Sequence, residues 1–442
     1  MSFFNMDRQQ LAVITKEGGH YNYDEIPIIS FNHSQKQLIL ILCDNTLPIL
    51  SAYISAMNSP HAVMLLAADT NKELLTSIIT KYQPYWIVGL DEWQGYVVKE
   101  NYLMCEINPS YIIHEDLAVL LSTSGTTGSQ KFVRLSYQNL QANAKSIIEY
   151  LEIDEQERGI MNLPLSYSYG MSIINSHLLA GASIILTNES VMQKSFWKLI
   201  QDAQATSLAG VPFTYQMLQR VGFVKMNLPH LKTLTQAGGR LNEKLVRYFG
   251  TYALEKNKRF YVMYGQTEAA PRMSYIPYER VLEKAGTIGI AIPDGQLSVE
   301  KDELVYRGYN VMMGYAESIE DLAKEDEMHG VLYTGDTAIV DEEGYFTITG
   351  RLKRFIKLFG LRINLDDVEK KLEVRFQTPL ACTGSDDKLI VVIEQQELVE
   401  SVKEAIEELY HLHPTAFKVK VLSIPRFPNG KTDYMKLKEL CL

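Results

Sequence analysis

Leu121-Ser122-Thr123-Ser124-Gly125-Thr126-Thr127-Gly128-Ser129-Gln130-Lys131 carries six hydroxyls, two glycines and a terminal lysine in eleven positions. Glycine lets a backbone come close to a ligand. Successive N–H groups in such a loop form a concave anion site. The apolar run at 117–121 leading into it reads as a buried strand. Strand, glycine-hydroxyl loop and lysine together propose a polyphosphate cradle. The spacing is not that of a Walker loop, which needs four residues between its glycines and a Gly-Lys-Ser/Thr ending. Here only Thr126 and Thr127 separate Gly125 from Gly128. The competing reading is a plain Ser/Gly surface loop.

Working outward, residues 37–43, 61–66 and 85–88 read as strands, and 47–57 and 71–82 as helices. Asp44, Asn45 or Thr46 can cap the first helix, with Pro48 in its first turn. Strands alternating with helices predict parallel crossover units with helices on both sheet faces. The alternation resumes at 182–186, 191–203 and 207–211. Past about residue 285 the texture changes to short strands with Gly/Asp turns, at 288–293, 304–306, 337–340 and 345–349. From Gly350 a different unit begins. It has a short strand at 355–358 with a turn at Gly360, then a helix with Leu365, Val368, Leu372 and Phe376 on one stripe. A strand at 388–393, a helix near 398–410 and a strand at 417–421 complete it. The expected fold class is α/β: a large N-terminal domain, 1–350, of stacked α/β subdomains plus a β-rich subdomain, then a small mobile α+β domain, 351–442.

Bulk properties exclude several classes. A chain of 442 residues implies more than one domain. Apolar residues at 46% and charged residues at 22% exclude wholesale disorder. A formal charge of −10 argues against general nucleic-acid binding, which needs a basic surface. Cys43, Cys105, Cys382 and Cys441 are far apart and form no CxxC pair, so they read as reduced thiols. No signal peptide is visible, and the apolar runs are too short to span a membrane. A soluble cytoplasmic enzyme is expected.

Several further segments can carry chemistry. Glu268 follows the strand-like run 259–263, and a carboxylate past a strand end is well placed at an α/β ligand crevice. It can hold magnesium, which takes oxygen ligands and usually few from protein. Gly238 and Gly239, before Arg240, read by themselves as a plain β-turn. Asp336 lies in Tyr333-Thr-Gly-Asp, which in isolation is a common turn. Arg351, Lys353, Arg354, Lys357, Arg362, Lys370 and Lys371 form a basic cluster. It can steer an acidic partner, or be a solvated face interleaved with Asp366, Asp367 and Glu369.

Ser-Gly-Thr-Thr-Gly-Ser-Gln-Lys resembles the phosphate loop of the carboxylate-adenylating enzymes. That superfamily comprises acyl-CoA synthetases, peptide-synthetase adenylation domains and luciferases. Members usually have proline where this chain has Gln130 and glycine where it has Phe132. Further matches follow in order as far as Lys431. The resemblance implies ATP and Mg2+ as cofactors, with Thr123, Ser124, Gly125, Thr126, Thr127, Gly128 and Lys131 on the phosphates. Tyr264-Gly265-Gln-Thr267-Glu268 is similar to the family's Tyr-Gly-x-Thr-Glu motif. This implies adenine stacking by Tyr264, a catalytic part for Thr267 and a magnesium ligand in Glu268. Gly238, Gly239 and Arg240 resemble the adenine-side turn, and Asp336 the ribose ligand. Gly350-Arg-Leu-Lys353 resembles the interdomain hinge, with Arg351 on the nucleotide and Lys353 as pivot. By the same resemblance Gly360 and Arg362 line a thiol channel, and Lys431, in Pro428-Asn-Gly-Lys, is the C-terminal catalytic lysine.

The implied activity is formation of an acyl-AMP from a small-molecule carboxylic acid, then transfer to the phosphopantetheine thiol of CoA or of a carrier protein. Tyr167, Ser168 and Tyr169 are candidates for the acid pocket, or aromatic core. The family's peptide-synthetase branch places an amine-binding aspartate in this region, and no acidic residue lies between Asn162 and His177. That counts against the alternative of a stand-alone amino-acid-activating domain. A non-catalytic ATP-binding relative is the remaining alternative, against which the joint presence of Lys431, Glu268 and Asp336 argues.

Overall fold

The computed structural model describes residues 3–107, 111–122, 131–352, 354–358, 361–385, 388–410, 412–427 and 430–441. These divide into two compact units. One takes the described residues of Met1–Gly125, Ser129–Gln296 and Tyr306–Leu332, the other those of Leu297–Val305 and Tyr333–Leu442.

In the first unit, the strand Leu38–Cys43 is buried along its whole length. A continuous apolar run of this kind suits a central strand covered on both faces. It pairs in parallel with Ala62–Ala67 and Trp86–Val88. The helix Leu47–Met57 starts after Thr46 with a proline in its first turn. The Asn71 side chain caps Lys72–Tyr82 by accepting from the Leu74 N–H, one of the donors a helix start leaves unmatched. Ala62–Ala67 pairs next with Leu117–Ser122, which turns back antiparallel against Phe132–Ser136. Gly314–Ala316 then adds to Phe132–Ser136, antiparallel. Leu40, Met64, Tyr82, Leu120 and Phe132 belong to the apolar core of this sheet.

A second sheet of the same unit has nine strands among the described residues. Leu11–Ile14, Ser183–Leu186, Arg158–Met161, Ser207–Gly210, Thr233–Gln236 and Arg259–Gly265 lie side by side, parallel. Arg272–Ile276 and Ile290–Ala291 extend it antiparallel. This corrects the expectation that 288–293 opens the β-rich part. Only Ile290–Ala291 is strand, and it pairs back into the large sheet. The Gly289 backbone lies so close to the Tyr275 carbonyl that a Cβ would collide with it. That approach steers the chain onto the neighbouring strand.

The second unit contains a four-stranded sheet built mainly from Gln296–Glu300, Glu303–Arg307, Val331–Val340 and Phe346–Arg351. The hairpin Phe355–Leu358 and Leu361–Asn364 follows. The helix Leu365–Phe376 is capped by Asn364 and buries Leu365, Val368 and Leu372. That stripe packs in one core with Leu389, Val391 and Ile393 of Lys388–Ile393 and with Ile406 of Val399–Tyr410. Phe417–Val421 closes the small sheet in parallel. Among the described residues no helix is long and apolar enough to cross a membrane.

Candidate active site

Parallel strands point their carboxyl ends the same way, and ligand crevices of α/β sheets open there. Three of the candidate segments leave the large sheet at that edge: 162–169 after Arg158–Met161, 237–240 after Thr233–Gln236, and 266–268 after Arg259–Gly265. The fold brings them together. Gly238 has φ +83, and a Cβ there would meet the Tyr167 hydroxyl. The Ser168 and Thr267 hydroxyl oxygens are 3.2 Å apart. Gly265 passes so close to the Pro271 carbonyl that no side chain would fit. Gln236, fully buried, donates to the Gly239 carbonyl at 2.8 Å and so holds the 237–240 turn. Arg240 lies at ion-pair range of Glu243, 4.0 Å, within its own turn and helix start. The Tyr264 hydroxyl accepts from the Gln266 amide at 3.2 Å.

The phosphate-side and metal-side candidates are linked by a residue that motif reading missed. The Tyr315 hydroxyl donates to Glu268 Oε1 at 2.8 Å. Lys131 Nζ lies 5.4 Å from the centre of the same ring and pairs with Glu317 at 2.9 Å. Burial, then the Glu268 charge, push the Tyr315 phenol well up, so it stays a donor. The strand Gly314–Ala316 stands beside Phe132–Ser136, which places Tyr315 and Glu317 next to Lys131. The buried Arg134 fixes that pairing through the Met313 carbonyl, at 3.1 Å, and Glu327, at 2.6 Å. Glu268 has no ion-pair partner among the described residues, and its second carboxylate oxygen has no hydrogen bond there. A single carboxylate with an oxygen to spare fits magnesium, which takes one or two from protein and the rest from phosphates and water.

Beneath the same edge, a narrow cavity lies between the helices Tyr137–Leu151 and Ser168–Ala180 and the sheet. Its interior volume is about 30 Å³, and about 480 Å³ of non-atom space is counted once the open solvent at its mouth is included. Tyr169, Thr235 and Arg272 line one end, and Glu157, His177, Ser207 and Thr233 the other. Tyr169 is buried, donates to or accepts from Thr235 Oγ1 at 2.8 Å, and has the Arg272 guanidinium over its ring at 3.9 Å. Tyr169 thus lines the cavity. Tyr167 is half-buried against the 237–240 turn, its phenol pushed up to about 12 by burial.

His177 has a titration consequence. Burial holds its pKa below 6.5, against smaller opposing effects of the Ile173 carbonyl and Glu157. The folded state therefore declines a proton that the unfolded chain accepts. Stability is full above 6.5 and falls as pH drops from there through the folded pKa. Thermal melts of the wild type are expected to show this loss on acidification. His177→Phe should remove part of it, and parallel melting curves for the two proteins would refute the assignment.

In the second unit, the register of Val331–Val340 against Phe346–Arg351 sets Asp336 opposite Arg351. Arg351 Nε donates to Asp336 Oδ1 at 3.1 Å, and Asp336 is 4% exposed. The Thr-Gly-Asp segment, which in isolation reads as a turn, is here inside a strand, with Gly335 at φ +73. Lys431 follows Gly430, φ +79, in a turn closed by the Phe427 N–H donating to the Lys431 carbonyl at 2.8 Å. Within the basic cluster, Arg354 is mostly buried. It pairs with Asp366 and Glu369 and stacks on Tyr434 at 3.7 Å. Lys371 pairs with Asp367 at 2.8 Å. These two cations are engaged within their own unit. Thr123, Ser124, Gly125, Thr126, Thr127, Gly128, Lys353 and Gly360 lie outside the described residues, as does the Arg362 side chain.

A family model described as AMP-binding enzyme matches residues 30–316. The chain belongs to this family. The matched span of this AMP-binding enzyme runs over the candidates from Thr123 to Glu268, and over Tyr315. Feruloyl-CoA synthase of an Amycolatopsis species is 28% identical over 270 residues, 58% of this chain and 54% of that one. A long-chain-fatty-acid–CoA ligase of Escherichia coli O157:H7 is 26% identical over 444 residues, 90% of this chain and 76% of that one. The chain spans about half the length of the first curated relatives it matches. Among solved structures, ATP-bound MatB from Rhodopseudomonas palustris superposes with a TM-score of 0.77 at 20% identity, covering 98% of this chain and 96% of that one. O-succinylbenzoate coenzyme A synthetase (MenE) from Bacillus subtilis, in complex with AMP, gives 0.78 at 19%, covering 97% and 95%. These two likenesses establish a shared fold.

Proposed function

We propose that this AMP-binding enzyme is an acid–thiol ligase that activates a carboxylic acid with ATP and passes the acyl group to a phosphopantetheine thiol. The observation that carries the reading is the meeting of 162–169, 237–240 and 266–268 at the carboxyl edge of the parallel strands. In the first step a carboxylate oxygen attacks the α-phosphorus. The bond to the β-phosphate oxygen breaks, and pyrophosphate leaves with that electron pair. In the second step the thiol loses its proton and attacks the acyl carbon of the mixed anhydride, and AMP leaves.

Lys131 and the 123–128 hydroxyls and glycines hold the departing pyrophosphate. Gly238, Gly239, Arg240, Tyr264 and Gly265 take the adenine side. Asp336 accepts from the ribose hydroxyls, with Arg351 beside it. Thr267 and Ser168 face the acid, which enters past Tyr167 and Tyr169. Glu268 would hold magnesium, which would neutralise phosphate charge when bound. Lys431 offsets negative charge at the reacting centre, an interaction worth most in a dry, preorganised site. The reading keeps Lys353 as the pivot on which 351–442 exchanges one half-reaction for the other, with Gly360 and Arg362 serving the thiol. CoA is the first acceptor to test, given the relatives' names, and a carrier protein the second.

The amino-acid-activating alternative needs an anion for the substrate ammonium. One end of the cavity holds the buried cation of Arg272, which repels one, and the carboxylate at its other end, Glu157, is already within ion-pair range of Arg259 and Lys232. The deciding experiment is pyrophosphate release from ATP and Mg2+ with fatty, aromatic, hydroxy, dicarboxylic and amino acids, each with and without CoA. Acid-dependent release that CoA accelerates is the expected result. Release indifferent to CoA would transfer the acceptor role to a carrier protein. Silence with every acid, in protein that binds ATP, would overturn the ligase reading in favour of a non-catalytic relative.

A further inference from the structure

Arg272 is 3% exposed and lines the cavity beneath the candidate site. No carboxylate lies within ion-pair distance of it among the described residues, and its Nε has no hydrogen-bond partner there. Its charge faces phenols instead. The Tyr169 ring lies 3.9 Å under the guanidinium, and the Tyr150 hydroxyl neighbours it. A ring face attracts a cation above it, but it does not accept the N–H donors spread in the guanidinium plane. A buried cation without an anion is costly, and proteins almost always pair one. The rest of the wall is mostly apolar, with hydroxyls set into it. Ser172, Ser176, Ser207, Thr233 and Thr235 line the cavity among its isoleucines.

Position matters as much as charge. Arg272 stands opposite Gly265 in the antiparallel register. It is therefore close in the sheet to the Thr267–Glu268 turn, where the proposed reaction places the carboxylate that is activated. Its main chain is clamped as well, since both Asn143 and Asn310 donate to its carbonyl, at 3.0 and 2.8 Å. The guanidinium is thus held on a strand rather than carried on a loop.

We infer that Arg272 recognises a second carboxylate on the substrate, so that the acid is a dicarboxylic one. This rests on the ligase reading above and specifies its substrate class. A planar guanidinium offers a carboxylate two parallel N–H donors, and the bound anion supplies the partner that Arg272 lacks, since the cavity's Glu157 is within range of Arg259 and Lys232 instead. A monocarboxylic acid of equal length leaves the cation unmatched and binds poorly. Sites built to hydrogen-bond a polar group reject the analogue lacking it far more strongly than apolar pockets reject a methylene.

The test compares succinate with butyrate, adipate with hexanoate and suberate with octanoate, in pyrophosphate release and in thermal shift of the intact protein. The wild type is expected to prefer the diacid of its best pair by about 10,000-fold in kcat/KM. Arg272→Met should erase that preference while leaving the monoacid within a few-fold. Arg272→Lys keeps charge without the planar fork, so it should raise KM for the diacid and leave kcat nearly unchanged. That variant carries the test if Arg272→Met does not fold. Diacid should raise the melting temperature of the wild type and not that of Arg272→Met. A wild-type preference for monoacids, or an equal loss for both acids in the variants, would overturn the inference. Diacid binding without pyrophosphate release would overturn the ligase reading and leave the inference standing.

Discussion

Lys431→Ala is expected to slow acyl-adenylate formation by about 100- to 1,000-fold, the scale of losing one preorganised charge contact to a transition state. Thiol transfer from supplied acyl-AMP should stay within a few-fold of wild type. The asymmetry follows from the proposed chemistry. Substitution at the α-phosphorus, with the charge gathered on its five-coordinate transition state, occurs only in the first step, and a lysine set on a turn after Gly430 can be brought to it and withdrawn. Lys353→Pro should give the opposite pattern, because proline fixes φ and removes the backbone freedom a pivot needs. Both half-reactions are measured separately: pyrophosphate release for the first, thioester formation from synthetic acyl-AMP for the second. Equal losses in both half-reactions for each variant would end the domain-alternation proposal. Lys431 is half-buried on a hairpin turn, so its truncation should leave the melting temperature close to wild type.

Glu268→Gln is expected to lower pyrophosphate release by about 100-fold or more, roughly 3 kcal/mol or more of barrier. Its signature is an upward shift in the Mg2+ concentration giving half-maximal rate. The amide keeps the size and one acceptor for Tyr315, so the hydrogen bond at 2.8 Å can persist while the metal loses its charged ligand. Tyr315→Phe is the control. It removes that hydrogen bond and should cost about 1 kcal/mol, a few-fold in rate, with a smaller shift in Mg2+ dependence. An unchanged Mg2+ dependence in Glu268→Gln would remove Glu268 from the metal site.

Much of the fold is legible in the sequence wherever a signal is local. Leu38-Ile-Leu-Ile-Leu-Cys43 can satisfy no interface except a sheet covered on both sides, and it becomes a wholly buried strand. Asn71 caps the following helix because its short side chain reaches back to an N–H three residues on. The stripe of Leu365, Val368 and Leu372 buries one face of its helix for the reason its spacing suggests. Candidate chemistry was legible where residue types cluster, as in Tyr264–Glu268 and at Asp336. Ile290–Ala291 was misread because a short apolar run states that it pairs, but not with which strand.

By itself, then, the sequence determined the α/β class, the order of the elements and the short motifs in which glycines, hydroxyls and single charges lie a few residues apart. Those properties depend on backbone geometry within one or two turns. Only the tertiary structure decided that Tyr315 bridges Lys131 and Glu268, that Asp336 faces Arg351 and that Arg272 is a buried cation lining a cavity. Those outcomes depend on strand register and sheet order. A shift of register by one residue turns every side chain of a strand to the opposite face, and no local pattern in this chain encodes which long-range pairing prevails.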